Sequence, residues 1–193
     1  LVPSQVYVED ARIGKVIVGQ MVSDRGLDVK SDPRYFRNFK RGIGVDVMGF
    51  IPELDGVEVT SEMVGEWFLR EVVAATHRAV GGTSGEESWV FTVPVDSFEA
   101  YRQWLSGTAV NLGVAQLQLL DEPTAAALEY GLVNDQKILI VDFGGGTLDL
   151  ALVQPATQTG GRGWGTFVTW GNSSLKQKKN SGVARVLAKA DQT

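Results

Sequence analysis

The chain has 193 residues, of which 44% are hydrophobic and 21% charged, with a formal net charge of −5 and no cysteine. The negative charge argues against a general binder of nucleic acid or of an anionic membrane. The lack of cysteine excludes disulfides and thiolate metal sites, and the single histidine, His77, excludes a histidine-rich metal site. No apolar run approaches the ~20 residues that span a bilayer, and no signal peptide is visible.

The first sixty residues are predicted to form strands and turns. The run SQVYV, residues 4–8, alternates apolar and polar, and KVIVGQMV, residues 15–22, is a second β-like run. Residues 31–47 are basic, aromatic and rich in turn residues. Residues 51–60, IPELDGVEVT, are predicted to be a connection punctuated by proline and glycine.

A helix is predicted from about Ser61 to Val80. Thr60 or Ser61 can cap it, and the pair Gly81-Gly82 ends it. Its apolar residues recur at helical spacing: Met63, Val64, Trp67, Phe68, Val72 and Val73.

Strands and helices then alternate, which predicts an α/β fold. In chain order these are a buried-type strand (88–95), a helix from Ser97 to about Gly113, a short strand (115–120), a helix with Pro123 first (123–131) and two strands (137–143 and 147–153). A loop (154–163), a strand (165–171), a polar mobile stretch (173–182) and a terminal helix (183–190) complete the prediction.

Three consecutive glycines, Gly144, Gly145 and Gly146, join the last two strands of the alternating part. A hairpin turn needs one or two glycines, so three indicate a backbone that a ligand approaches closely. Successive bare N–H groups suit a phosphate, and the nearby Asp142 suits a divalent metal such as Mg²⁺. The plainer alternative is a glycine-rich hairpin with aspartates facing solvent.

The hydroxyl of Thr147 and the carboxylate of Asp149 are predicted to face the same side of their strand. The neighbourhood does not match the P-loop pattern or the dinucleotide-binding glycine pattern. The tripeptide DFG at residues 142–144 is not accompanied by the other sequence motifs of protein kinases.

The stretch LLDEPTAAALEYGL, residues 119–132, precedes the glycine turn. Together the two resemble the ATPase domain of the 70-kilodalton heat-shock chaperones, members of the actin-like ATPase superfamily, which carry N-E-P-T-A-A-A and then D-L-G-G-G-T-F-D. Asp121, Phe143 and Leu148 are departures from these motifs. Upstream, FTVPVDSFEAYRQ, FRNFKRGIG and VPSQVYV also resemble the family, so the likeness extends from Val2 to about Val153.

The resemblance implies a partial actin-like, ribonuclease H-like α/β fold with a small peripheral lobe. Its predicted divisions are a peripheral lobe at 1–60, the core of the first lobe at 61–136 and the start of a second lobe at 137–193. The family's first phosphate loop is expected before Leu1 and the rest of the second lobe after Thr193, which would make this chain an internal piece of the domain.

The resemblance also implies a site for ATP or ADP with Mg²⁺. The three glycines and Thr147 would hold the terminal phosphates, with Asp149 beside them. Asp142 would orient the attacking water and the hydrated metal. Glu122 would position metal waters across the cleft, and Lys40 would stabilise charge on the transferring phosphoryl group. Such a set suffices in kind, because phosphoryl transfer needs mainly positioning and positive charge.

Pro94 and Arg102, with Arg41, would form the family's relay from the cleft to the outer face. Each residue has a plainer alternative. Lys40 could be a solvated lysine or part of a single-strand nucleic-acid surface, and Glu122 a helix-entry residue. Pro94 could simply end a strand and Arg102 lie on a helix surface. Further expectations are core positions for Trp67, Trp89 and Trp104, a helix-face His77 without a catalytic task, and a solvated loop containing Lys176, Lys178 and Lys179.

The intact protein is therefore expected to be a cytoplasmic chaperone that hydrolyses ATP to control binding of a client polypeptide through a domain outside this chain, with co-chaperones as further partners. No nucleic-acid or membrane partner is expected. Two alternatives remain open, a scaffold relative that does not hydrolyse ATP and a small-molecule kinase of the same superfamily. The 193 residues alone are expected to be inactive or weakly active.

Overall fold

The structure is a computed structural model that describes residues 2–45, 50–81, 88–94, 99–114, 116–130, 137–144, 147–155 and 184–192, with backbone only at 142–144, 147–149, 154–155 and 184–192. Two compact units divide the chain. The first comprises Leu1–Gly85 and Phe98–Gly113, and the second comprises Glu86–Ser97 and Val114–Thr193. The predicted strand at 165–171 and the polar stretch at 173–182 lie outside the described residues. The three-part division of the chain remains a prediction.

The first unit opens with an antiparallel sheet. Its described strands are β1 (Gln5–Asp10), β2 (Lys15–Val18) and β3 (Tyr35–Arg37), in the order β2-β1-β3. Val6 and Val8 of β1 are fully buried, as its alternating sequence predicts.

The second predicted β-run is confirmed only as far as Val18. Gly19 has a φ of 67° and turns the chain into a short helix, α1 (Gln20–Asp24), so the prediction that the strand continues to Val22 was wrong. Val22 lies in this helix and is buried. A glycine that adopts positive φ ends a strand more effectively than the apolar residues beyond it can prolong one.

The predicted connection at 51–60 contains a hairpin, β4 (Glu53–Leu54) and β5 (Val57–Glu58). Its two turn residues, Asp55 and Gly56, have φ values of 56° and 79°. Positive φ at both central positions is the type I′ geometry that Asp-Gly favours between antiparallel strands. The dipeptide therefore carried a hairpin signal that the sequence interpretation did not use.

Asp55 ties this hairpin to the rest of the first unit. Its Oδ1 accepts from Nη2 of Arg34 at 2.6 Å, and its Oδ2 accepts from the backbone N–H of Ala11 at 2.9 Å. Arg34 also donates to the carbonyl of Val8 at 3.1 Å. The Arg34 hydrogen bond, followed by the Ala11 N–H, lowers the pKa of Asp55 to about 2.

The predicted helix is confirmed as α2 (Ser61–Val80). Thr60 is its N-cap and accepts from the N–H of Met63 at 3.3 Å, while Gly81 ends it in the left-handed conformation with a φ of 87°. Trp67 and Phe68 lie on α2 and are buried in the core of this unit.

A second helix of the first unit, α3 (Glu99–Asn111), packs on α2, as the amphipathic pattern predicts. The contact depends on Gly65. A Cβ there would lie 2.7 Å from the Trp104 ring and 2.9 Å from Cδ1 of Ile43, both inside van der Waals distance. Trp104 is therefore partly buried on the core of this unit, as predicted.

The second unit contains a parallel pair of strands, β6 (Ser88–Val93) and β7 (Gln116–Asp121). The sequence predicts a buried strand at β6, but only Val93 is buried and Val90 is 54% exposed. Trp89 and Phe91 pack on each other with ring centroids 6.0 Å apart. The described residues cover little of β6 on either face, so Trp89 is half-buried and does not belong to a buried core.

The helix predicted at 123–131 is confirmed as α4 (Glu122–Tyr130), with Pro123 in its first turn. It contacts β6, β7 and a second sheet formed by β8 (Ile138–Gly144), β9 (Thr147–Pro155) and β10 (Ala184–Gln192), in the order β10-β9-β8. On this sheet Ala151 and Val153 are buried, whereas Leu139 and Val141 are 61% and 56% exposed.

The prediction of a terminal helix at 183–190 was wrong. Residues 184–192 form β10, antiparallel to β9 along almost the whole length of both strands. The alanines, leucine, arginine and lysine of this stretch have high helix propensity. A neighbouring strand of equal length provides backbone partners that a local propensity scale does not include, and this non-local pairing is the stronger term.

No helix among the described residues is both long enough and apolar enough to cross a membrane.

Asp55→Asn is expected to lower the free energy of unfolding of the 193-residue chain near pH 7, with the difference from wild type fading as the pH falls toward about 2. The folded pKa lies below the usual 3.8, so the ionised carboxylate stabilises the fold above that value and loses this contribution on protonation. Asparagine tolerates positive φ but keeps one acceptor oxygen where Asp55 uses two, so the part of the difference that varies with pH reports the charge. Urea unfolding over a pH series measures it.

Asp28→Asn is the matched control for this experiment, since Asp28 is exposed and forms no ion pair with a described residue. It should behave like wild type at every pH. A difference between Asp55→Asn and wild type that is the same at all pH values would contradict the assignment to the charge.

Gly65→Ala is expected to destabilise the chain by about 1–3 kcal/mol, because the added methyl group overpacks the contact with Trp104 and Ile43. Gly107→Ala should instead stabilise by about 0.5–1 kcal/mol, because Gly107 is exposed on α3 and a Cβ there meets nothing within 4 Å. Chemical unfolding of both variants checks the pair. Stabilisation by both would show that helix propensity outweighs the close contact.

Candidate functional site

Lys40 and Arg41 lie in a 3-10 turn, Phe39–Gly42. Asn38 precedes it in the left-handed conformation with a φ of 58°, and its carbonyl accepts from the N–H of Arg41 at 3.0 Å. Phe39 is buried against Phe68, with ring centroids 5.6 Å apart. The buried ring anchors the turn, while Lys40 stays exposed on its surface.

The residues after this turn are also held in place; we call residues 38–45 the Lys40 segment. Ile43 is buried. Gly44 has a φ of 73°, and a Cβ there would lie 2.9 Å from the backbone N of Tyr101 and 3.1 Å from the Cβ of Ala100. The segment therefore needs glycine at position 44 both for its backbone conformation and for the close approach of α3.

A cavity of about 330 Å³ lies beside the Lys40 segment in the first unit. Arg41 lines it together with residues of β3, of the segment before β4 and of the start of α2, among them Phe36, Phe50, Ile51, Thr60 and Glu62. Its lining is thus mixed, with aromatic and aliphatic groups beside one cation and one acid. Arg102, the remaining predicted residue of this unit, is half-buried on α3.

In the second unit, the parallel pairing of β6 with β7 brings two predicted residues to one edge. Val93 is in register with Asp121 at the carboxyl ends of the two strands. Pro94 follows β6 and Glu122 follows β7, and both are exposed. Loops that follow the carboxyl ends of parallel strands are the usual location of ligand sites in α/β sheets.

The glycine turn lies at the end of the β8–β9 hairpin. Gly144 pairs with Thr147, and two positions back Asp142 pairs with Asp149, so the hairpin predicted from the sequence is confirmed. Paired residues and those two positions along share one face of a sheet. The register therefore brings four predicted site residues to one end of one face. Gly145 and Gly146 lie outside the described residues.

Each unit thus brings together part of the predicted set. Lys40 and Arg41 share one turn in the first unit, with Arg102 on α3. The second unit holds the sheet edge with Pro94 and Glu122 and, separately, the end of the β8–β9 hairpin. Within the described side chains, no three acidic or histidine residues cluster closely enough to hold a metal ion, and Asp142 and Asp149 are not among those side chains. The predicted role of each residue remains a prediction.

Sequence reasoning did not single out Phe39 or Gly44, although both determine the position of Lys40. Phe39 belongs to an aromatic, basic stretch in which no period distinguishes the buried ring from its neighbours. The signal for Gly44 was present, because glycines two residues apart flank Ile43 and mark a backbone that is packed closely.

Comparison with known proteins assigns this chain to a family. The family model described as Hsp70 protein matches residues 46–159, more than half of the chain. The chain belongs to the Hsp70 family. Within Hsp70 proteins it is similar to the chaperone protein HscA homolog of Shewanella baltica strain OS155, 34% identical over 142 residues and 72% of this chain. The HscA homolog of Shewanella denitrificans is 31% identical over 179 residues, or 91% of the chain.

Solved structures give the fold of this Hsp70 segment. MreB5 of Spiroplasma citri bound to ADP superimposes with a TM-score of 0.57 over 99% of this chain and 44% of that one, at 18% identity. The same protein bound to AMPPNP gives 0.52 over 79% and 41%, at 21% identity. The chain therefore has a partial actin-like ATPase fold, as the sequence predicts.

The chain spans about a quarter or less of the curated relatives, 22% of the first and 26% of the other. It corresponds to a segment of the ATPase domain of Hsp70-type chaperones. The family match starts at residue 46, after Lys40 and Arg41, and includes Glu122 and the glycine turn.

Gly44→Ala is expected to destabilise the chain by more than Gly56→Ala does. Both glycines have positive φ, so both variants carry the strain of about 1–2 kcal/mol of a side chain in that region. A methyl group at position 56 meets open space, whereas one at position 44 meets the backbone of α3. The difference between the two unfolding free energies measures the close contact, and equal losses would contradict it.

Proposed function

We propose that the intact protein binds ATP and ADP with Mg²⁺ at the glycine turn and hydrolyses ATP to control the binding of a client polypeptide. The observation that carries the proposal is the register of the β8–β9 hairpin. It sets Gly144 opposite Thr147 and Asp142 opposite Asp149, around three successive glycines, in a chain of the Hsp70 family. Both solved relatives are described as nucleotide-bound, one with ADP and one with AMPPNP.

The hairpin end suits a phosphate and a cation together. Glycines leave backbone N–H groups open to an anion. Asp142 and Asp149 are paired in the strand register, and like charges at directly opposite positions repel each other. A bound cation would remove that repulsion, and Mg²⁺ is usually held by one or two carboxylates, water and phosphate oxygens. The observed residue types therefore fit Mg²⁺ with a nucleotide.

The proposed roles are those that the family resemblance implies for these residues. Gly144, Gly145, Gly146 and the Thr147 hydroxyl bind the terminal phosphates, with Asp149 beside them. Asp142 orients the attacking water and the hydrated metal, and Glu122 positions metal waters from the carboxyl edge of β7. Mg²⁺, when bound, neutralises charge on the phosphates.

Lys40 provides the fixed positive charge that phosphoryl transfer requires. Its side chain is exposed and forms no ion pair with any described residue. The turn beneath it is anchored by Phe39. Pro94, Arg102 and Arg41 are proposed to relay the state of the nucleotide.

The proposal for the whole protein extends beyond this chain. The client would bind to a domain outside these 193 residues, with co-chaperones as further partners, and the setting would be the cytoplasm. Absence of cysteine is consistent with a reducing compartment.

Lys40→Ala in the full-length gene product is expected to retain ATP binding and to lower the single-turnover hydrolysis rate by ~10²-fold or more, because a charge that stabilises the transferring phosphoryl group is lost. Lys30→Ala is the matched control, since Lys30 is also exposed and lies in the same unit. It should hydrolyse ATP at the wild-type rate.

Two results would overturn the proposal. A wild-type protein that binds no nucleotide would favour a scaffold that has lost the activity. A wild-type protein that transfers the phosphate to a small molecule faster than to water would favour a kinase. Equal rates for wild type and Lys40→Ala would remove the role of Lys40.

A further inference from the structure

The sheet formed by β8, β9 and β10 has two faces that differ in burial. The β8–β9 register assigns residues to these faces, because paired residues share a face and successive residues alternate. We call one of them the α4 face, and it carries Ile138, Ile140, Ala151 and Val153. We call the other the open face, and it carries Leu139, Val141, Leu150 and Leu152.

Burial distinguishes the two faces. Helix α4 contacts all three strands, and Val153 on the α4 face is fully buried. On the open face Leu139 and Val141 are 61% and 56% exposed, and their cross-strand neighbours Leu152 and Leu150 are half-buried. The open face is therefore a contiguous apolar surface, and such surfaces usually mark interaction sites.

The sequence of β8 and β9 also indicates that both faces are covered in the intact protein. Both strands are apolar at consecutive positions, ILIV at residues 138–141 and LALV at residues 150–153. An antiparallel sheet with one face in water normally alternates apolar and polar residues, whereas a strand that is covered on both faces is a continuous apolar run. Strand β1 of the same chain does alternate, with Val6 and Val8 buried and Gln5 and Tyr7 between them only half-buried.

The position of β10 indicates which segment can cover the open face. Gln192, in β10, is in register with Leu148 of β9, so the polypeptide is still part of this sheet one residue before Thr193. Consecutive elements usually lie next to each other and are joined by connections of a few residues. Because α4 covers the other face, the open face is the apolar surface left to a segment that follows β10.

The curated relatives are long enough to supply such a segment, since the chain spans 22% of one and 26% of the other. The face of a sheet is covered by a helix or by a second sheet, whereas an added strand extends the edge of the sheet. Helices on both faces of a sheet are one of the few stable layer arrangements. Helix α4 already covers one face, so a helix is the expected element on the other.

We propose that the open face is the docking surface for an amphipathic helix formed by the segment that follows Thr193 in the intact protein. The apolar stripe of that helix packs on the four residues of the open face, and its polar side faces solvent. The inference does not depend on nucleotide binding, because the register assigns Asp142 and Asp149 to the opposite face.

Thiol labelling of Leu139→Cys tests the proposal, because the 193 residues contain no cysteine of their own. In the full-length gene product the labelled peptide is identified by mass spectrometry, so cysteines elsewhere do not interfere. The thiol is expected to react at least ~10-fold more slowly in the full-length protein than in the 193-residue chain, because labelling of a covered site requires local opening. Val141→Cys, on the same face, should show the same difference.

Ile13→Cys is the matched control, since Ile13 is 72% exposed and belongs to the first unit. Its thiol should react at the same rate in both proteins. Equal rates for Leu139→Cys in the two proteins overturn the proposal, and so does an equal slowing at both positions. Labelling of the 193-residue chain that is slow and accelerates on dilution identifies a second copy as the occupant, which also overturns it.

Photo-leucine, a diazirine analogue that replaces leucine with little change of shape, identifies the occupant without a mutation. After irradiation of the full-length protein, the peptides that contain Leu139 or Leu152 are expected to be crosslinked to a segment within about 40 residues after Thr193, the length of a connection followed by one helix. A crosslink to a later segment, or to one before Leu1, overturns the assignment. No ATP is needed, so a failure of the proposed function leaves this test unaffected.

Discussion

One face of α2 carries the packing on which the first unit depends. Phe68 meets the buried ring of Phe39, and the missing methyl group at Gly65 admits both Ile43 and the indole of Trp104. The Lys40 segment and α3 therefore share one surface, in contacts too close for an extra carbon atom. Because protein interiors transmit small displacements, a change in this surface would be felt at the exposed lysine and not only in the core.

The second unit presents its chemistry in a different way, on the ends of strands. The parallel pair β6–β7 delivers Pro94 and Glu122 to one edge, and the antiparallel pair β8–β9 delivers two aspartates and a threonine to a glycine turn. In both arrangements the register of the strands determines which residues are neighbours, so the grouping does not depend on long side chains. A shift of one residue in the β8–β9 register would send these residues to opposite faces.

Much of this could be predicted from local patterns. The α2 helix has a capping threonine, a regular apolar stripe and a terminal glycine, and all three are found as expected. The β8–β9 hairpin was also predicted, since apolar runs on both sides of a glycine turn allow few alternatives. The short β4–β5 hairpin was not predicted although Asp55-Gly56 signals it, because proline and glycine within ten residues are equally typical of an irregular connection.

What could not be predicted depended on contacts between distant residues. The stretch at 183–190 has the composition of a helix and becomes a strand because β9 offers it a partner. The candidate site divides in the same way. Residue types and spacing identified Lys40 and the glycine turn. The hydrogen bond from Gly44 to Glu62 and the ring contact of Phe39 with Phe68 join residues far apart in sequence, and a local pattern does not encode such contacts.

The two units are interleaved along the chain, and this has a consequence for how the protein is made. The polypeptide passes from the first unit to the second after residue 85, returns after 97 and leaves again after 113. During synthesis β6 emerges before α3 and must wait for β7, its parallel partner, while the first unit remains incomplete until α3 has appeared. Neither unit can be released by a single cut, and Val93 of β6, which is buried in the folded chain, stays uncovered during that interval of synthesis.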